Sequence, residues 1–140
     1  MGKVIGLVVM LICVGLMVSE IAYAVVTHDQ ITAVSNDVPA LEALILQLSG
    51  STPDVVARLY QGLGIRVSDP VKAKDYLTKS VAVGMNNIFS LKARIFLIGL
   101  ETDKVKAVAD AQDVAKNFWK ICKLEFDSGD ALLPFVRDFC

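Results

Sequence analysis

The chain has a single histidine, three cysteines and no run of like charges in 140 residues. Each shortage removes a class of function. Three cysteines and one histidine, scattered along the chain, do not supply the closely spaced ligands of a zinc site. A functional histidine needs oriented neighbours, and none can be inferred around His28, which reads as incidental. The hydrolase signatures Ser-x-x-Lys and Gly-x-Ser-x-Gly are missing. A phosphate-cradling loop is missing too, since Gly62-x-Gly64 is followed by Ile65 and lies after a helical segment. The 14 basic residues nearly balance 15 acidic ones, for a net charge of −1. That balance gives no electrostatic reason to expect nucleic acid. No segment shows strand alternation or a hairpin turn signal. The expectation is an all-α chain with no catalytic residues, no metal and no cofactor.

What the chain has in excess is apolar residues, at 54%, and much of that excess sits at the start. Lys3 precedes an unbroken apolar or glycine run from Val4 to Val18, and Ala22-x-Ala24 follows. The run is shorter than the roughly 20 residues that span a bilayer. Basic start, apolar run and small-residue site together read as a secretory signal peptide, residues 1–24, cleaved after Ala24. The alternative is an uncleaved membrane anchor, which would have to bury Glu20. Cys13 is a poor lipidation site, because Leu11-Ile12 precede it and a small residue is wanted there. The expected location is the periplasm or the exterior. In that setting the remaining Cys122 and Cys140 suggest one disulfide. Closing a loop of about 18 residues would add roughly 3 kcal/mol; a pair of free buried thiols is the alternative.

Residues 25–37 are polar and without clear period, and read as a loosely ordered leader. Residues 38–140 read as a domain of short helices. Asp37 and Pro39 open a segment from Val38 to Leu48, with Leu41, Leu44, Ile45 and Leu48 on one stripe. Thr52-Pro53-Asp54 opens the next, which buries Val55, Val56, Leu59 and Leu63. Gly62 and Gly64 then read as a turn where φ can be positive. Asp69-Pro70 opens a third helix, with Val71, Ala73, Tyr76, Leu77, Ser80 and Val81 inward and Gly84 as its C-cap. Asn86 or Asn87 caps a fourth helix running to about Leu100. It is apolar on most sides, as expected for a helix between others. Thr102 or Asp103 caps a fifth, reaching about Leu124, with Val105, Val108, Ala111, Ala115, Phe118, Trp119 and Cys122 on one side. A short last helix starts near Asp130.

A period runs through these helices. Lys72-Ala73 returns as Lys106-Ala107, 34 residues on, each preceded by an aspartate at the same spacing, Asp69 and Asp103. Leu59-x-x-Gly62 returns as Phe96-x-x-Gly99, 37 residues on. The order Leu59, Gly62, Gly64, Ile65, Asp69, Lys72, Ala73, Tyr76, Leu77, Lys79, Gly84 resembles one unit of the Sel-one-like repeat, a relative of the tetratricopeptide repeat. One extra residue lies between Ile65 and Lys72, and Ser80 and Val81 replace the usual alanine pair. The following unit lacks Gly-x-Gly. The resemblance implies a short α/α solenoid of stacked antiparallel helix pairs with flanking capping helices.

The resemblance also implies binding of another protein or peptide on the surface lined by the first helix of each pair. The polar residues expected there are Arg58, Gln61, Asn87, Ser90 and Arg94. Arg58 aligns with Ile95 and Arg94 with Ala57, so the two units do not present the same surface. Membrane contact is expected only if the N-terminal segment stays uncleaved. Some exported members of this family resemble immunity proteins that neutralise a cognate toxin, which is the second reading. A hydrolase is the third, and the sequence offers little for it.

Overall fold

The computed structural model describes residues 25–84 and 87–128, with side chains through residue 120. Among these residues the chain is all-helical, with six helices packed against one another. They are α1 His28–Ala33, α2 Val38–Ile45, α3 Pro53–Arg66, α4 Pro70–Val83, α5 Ile88–Leu100 and α6 Lys104–Ser128.

Local chemistry sets where five of the six described helices begin; Thr52, ahead of α3, makes no side-chain cap hydrogen bond. The first backbone N–H groups of a helix lack partners in the helix, and a short polar side chain just ahead of it supplies them. Thr27 and Gln30 form a reciprocal capping box at α1. Asp37 accepts from the Ala40 N–H, and Asp69 from Val71 and Lys72. Asn87 accepts from Phe89 and Ser90, and Asp103 from Val105 and Lys106. Proline in the first turn of α2, α3 and α4 costs no hydrogen bond there. Gly84 ends α4 at φ 150°, a conformation that disfavours a side chain.

Connections of three residues, 67–69 and 101–103, return the chain between α3 and α4 and between α5 and α6. Such short links make neighbouring helices antiparallel. α4 packs on both α3 and α5, α5 packs on α6, and α3 also reaches α5 directly. The first helices of the two pairs thus lie side by side, which is the stacking the period implies. α2 packs on α3.

Two apolar clusters form the core. Val26, Ile31, Leu41, Val55, Leu59 and Leu63 join α1 and α2 to α3. Ala57, Ile88, Phe89, Leu91 and Val114 join α3, α5 and α6. A polar relay crosses the stack beside them. The buried Ser80 hydroxyl donates to the Ala57 carbonyl at 2.8 Å, and the Ser90 hydroxyl donates to the Ser80 carbonyl at 2.6 Å.

Several expectations need correction. Gly62 and Gly64 do not form a turn: α3 runs through both, and only Gly50 and Gly84 have positive φ among the described residues. Gly64 serves close packing, because a Cβ there would lie 2.5 Å from Leu77 Cγ and 3.2 Å from the Leu77 backbone nitrogen. The return is made by Val67 and Ser68 ahead of the Asp69 cap. Residues 25–37 are not a loose leader. They hold α1, Val26 and Ile31 are buried, and the Val26 N–H donates to the Ser51 hydroxyl at 3.1 Å.

Other differences lie on the surface. Val71 points outward rather than inward, and so do Val105, Val108 and Trp119 on α6. α2 stops at Ile45, short of Leu48, and α6 continues past Leu124 to Ser128. Ile95, Phe96 and Leu100 are substantially exposed, so the outer half of α5 is not enclosed. The signal peptide, the last helix near Asp130 and Cys140 of the expected disulfide lie outside the described residues. Among those described, no helix is long and apolar enough to cross a membrane.

Candidate functional site

The first-helix face is where the five expected binding residues were placed, and the structure gives them different positions. Asn87 is the cap of α5, its side chain turned to the backbone. Ser90 is 1% exposed and belongs to the core relay. Arg94 pairs with Asp113 of α6 at 2.8 Å. The structure therefore does not leave Asn87, Ser90 and Arg94 as a surface stripe. Arg58 and Gln61 do come together, in a cleft of about 240 Å³ between α1, α3 and α5.

Helical spacing builds one wall of that cleft. Arg58, Gln61, Gly62, Ile65 and Arg66 recur at three- and four-residue steps and so line one side of α3. Phe89 and Lys92, three apart, supply the wall from α5, and Ile31 and Ser35 close the end beside α1. Sequence reasoning missed Arg66 and Lys92. Arg66 could have been found by continuing the Arg58–Gly62 step one turn. Lys92 aligns with Val55 in the 37-residue offset, so the period gave no signal for it.

The cleft lining includes the cationic Arg58, Arg66 and Lys92. Partial burial pushes the Arg58 pKa below its ordinary value, and the positive charge of Arg66 pushes the same way, against the pull of Asp29. Arg66 Nη1 donates to the Gly62 carbonyl at 3.0 Å, which holds its guanidinium along the helix.

One edge of the cleft is fixed by His28, which is not incidental. Its Nε2 lies 2.6 Å from Asp54 Oδ2, and its Nδ1 lies 3.2 Å from Arg58 Nη1. Arg58 also donates to the His28 carbonyl at 2.9 Å and to the Thr32 hydroxyl at 3.0 Å. The imidazole and the guanidinium both lie 5.9 Å from the centre of the Phe89 ring. These contacts tie α1 to α3 and hold Arg58 in place. They arise between residues 26 to 30 positions apart, a separation at which no local pattern is visible.

Burial alone would raise the Asp54 pKa, but hydrogen bonds from Thr52 and His28 and the charge of His28 outweigh it and hold the value below normal. A carboxylate whose pKa is depressed on folding stabilises the fold above its unfolded pKa, near 3.9. That contribution is lost as pH falls through the lower folded value. Asp54→Asn should therefore be less stable than wild type at pH 7, with the difference shrinking toward pH 3. Urea unfolding of both proteins across that range measures it, and a difference independent of pH would contradict the assignment.

Compared with protein-family models, curated proteins and solved structures, the chain matches none. Functional inference therefore rests on the chain's own residues. Among the described residues no group of three histidine, cysteine or acidic side chains is placed to hold a metal.

Proposed function

We propose that this chain is an exported protein-interaction module of the Sel-one-like repeat type, which engages a partner protein across the face formed by α3 and α5. The observation that carries the reading is the cleft itself. Two first helices that stack side by side leave a concave seam, and here it gathers Arg58, Gln61, Arg66 and Lys92 around an apolar floor. A cleft framed on rigid helices needs little reordering when a partner arrives, which favours binding. Export is supported by residues 1–24, whose charge and apolar pattern are those of a signal peptide.

The test is photo-crosslinking in the producing cell from two positions. Ile65, exposed at the rim of the cleft, should give a discrete protein adduct, whereas Thr78 on the exposed side of α4 should give none. N-terminal sequencing of the adduct should begin at Val25. Equal labelling from both positions would remove the assignment of the face, and a chain beginning at Met1 would remove the cleavage.

A further inference from the structure

We propose that α6 is a self-association surface: two copies of the chain pair through the outer face of this helix, lying antiparallel.

α6 has two apolar sides. Val114 is buried and Phe118 packs beside it toward α5, the described helix on which α6 rests. On the opposite side stand Val105, Val108, Ala115 and Trp119, with Gln112 among them, and all five are exposed. They follow one another at steps of three, four, three and four residues, the spacing of a seam between two helices. The sequence keeps that step at Cys122 and Phe126. A stack of helix pairs stays soluble when its outermost helix turns a polar face outward, and α6 turns an apolar one.

The seam is complementary to itself when one copy is reversed. A two-fold pair uses the same patch on both partners. With the helices antiparallel, Trp119 meets Val108 of the partner subunit and Gln112 meets Ala115 of the partner subunit, so a larger residue faces a smaller one in each layer. In a parallel pair the two tryptophans would meet in one layer and the two glutamines in another.

Charge selects the same orientation. A helix favours acidic residues in its first turn and basic ones in its last. α6 has neither. It opens with Lys104 and Lys106 and closes with Glu125 and Asp127. Reversal sets the basic start of each copy beside the acidic end of the other. Lys116, at the edge of the seam, comes level with Ala109 of the partner subunit and not with a second lysine.

The contact is small. Twenty-five residues make a helix about 37 Å long. Two such helices side by side bury an area at the low end of specific interfaces, about 1,000 Å² in all. The pair should therefore be reversible, with a Kd on the order of tens of micromolar.

The test places p-benzoylphenylalanine at position 108 and activates it in the producing cell. The expected product is an adduct of twice the chain's mass, with the link mapped by mass spectrometry to the stretch around Trp119 of the partner subunit. Sedimentation of the purified full chain should show dimer growing from about 1 to about 300 μM, a range that spans the expected Kd. Trp119→Glu should remove both signals and shift the thermal midpoint by no more than about 3 °C, as for an exposed site. Lys104→Glu should weaken dimerisation about threefold or more, and adding Glu125→Lys should restore it. This charge exchange keeps the test decisive if Trp119→Glu alters folding. A link from position 108 to position 108 of the second copy, to a different protein or to residues 129–140 of the same chain would overturn the proposal. So would no adduct, no loss in Lys104→Glu, or a loss that Glu125→Lys does not restore.

Discussion

Leu59→Ala should cost about 2–5 kcal/mol of folding stability, the range for leucine truncation in a closed core. Leu59 is 0% exposed and packs with Val55 and Leu63 of α3, Leu41 of α2, and Val26 and Ile31 from the N-terminal segment. Removing its side chain opens a cavity where three helices meet, and none can close it without moving. For a chain of this size the thermal midpoint should fall by on the order of 10 °C. Phe96 is the informative control. It occupies the corresponding large position 37 residues later, yet it is 47% exposed and borders an open apolar hollow with Ile65 and Leu100. Phe96→Ala should cost about 1 kcal/mol or less, as expected for a surface site. Similar losses in thermal or urea unfolding at the two positions would show that the repeat, and not the burial, sets their importance.

Gly64→Val should destabilise by about 3 kcal/mol or more, despite valine's better helix propensity. α3 is helical through Gly64, so glycine is a liability there unless something requires it. The requirement is Leu77 of α4, whose Cγ and Cδ2 would stand 2.5 and 2.6 Å from an added Cβ. Part of the clash involves backbone, because the Leu77 nitrogen would lie at 3.2 Å, so a rotamer change cannot relieve it. The two helices would have to separate, weakening both core clusters. A double-mutant cycle isolates the contact: in a Leu77→Ala background, Gly64→Ala should cost markedly less than alone. Additive costs would place the origin of the penalty elsewhere.

These two sites also show what sequence could and could not convey. Helix starts were legible, because a cap is a local bargain between Asp37, Asp69, Asn87 or Asp103 and the backbone two or three residues ahead. The role of Gly64 was not, since the lack of a Cβ serves a positive φ and a tight helix crossing equally well, and the sequence holds no sign of which. The inward faces of α3 and α4 were mostly legible from their stripes. That of α6 was misread, because an apolar stripe shows that a helix can be buried, and says nothing of whether a neighbour is there. Val105 is 81% exposed and Trp119 76%. At the cleft, Arg58 and Gln61 were found from the first-helix face alone. Lys92 and His28 needed the crossing of α3 with α5 and the fold-back of α1, which are properties of packing between distant residues. The caps agree with the stacking at α1, α2, α4, α5 and α6, whereas Thr52 ahead of α3 makes no side-chain cap hydrogen bond; agreement across levels is the consistency expected of a sequence that specifies a single arrangement.

The serine relay has a consequence for how the stack can move. Sliding one helix past another by a turn shifts it about 5.4 Å along its axis, far beyond the reach of a hydrogen bond. Ser80 and Ser90 each donate to a carbonyl on a neighbouring helix, Ala57 and Ser80 in turn. Greasy surfaces alone would tolerate several such offsets with similar energies. Two hydroxyls stranded in the interior would add about 1–3 kcal/mol each to every offset but one. The relay thus acts as a ruler with a single mark: α3, α4 and α5 can tilt or loosen together, but they are keyed along their lengths, and so is the spacing of the charges that α3 and α5 carry.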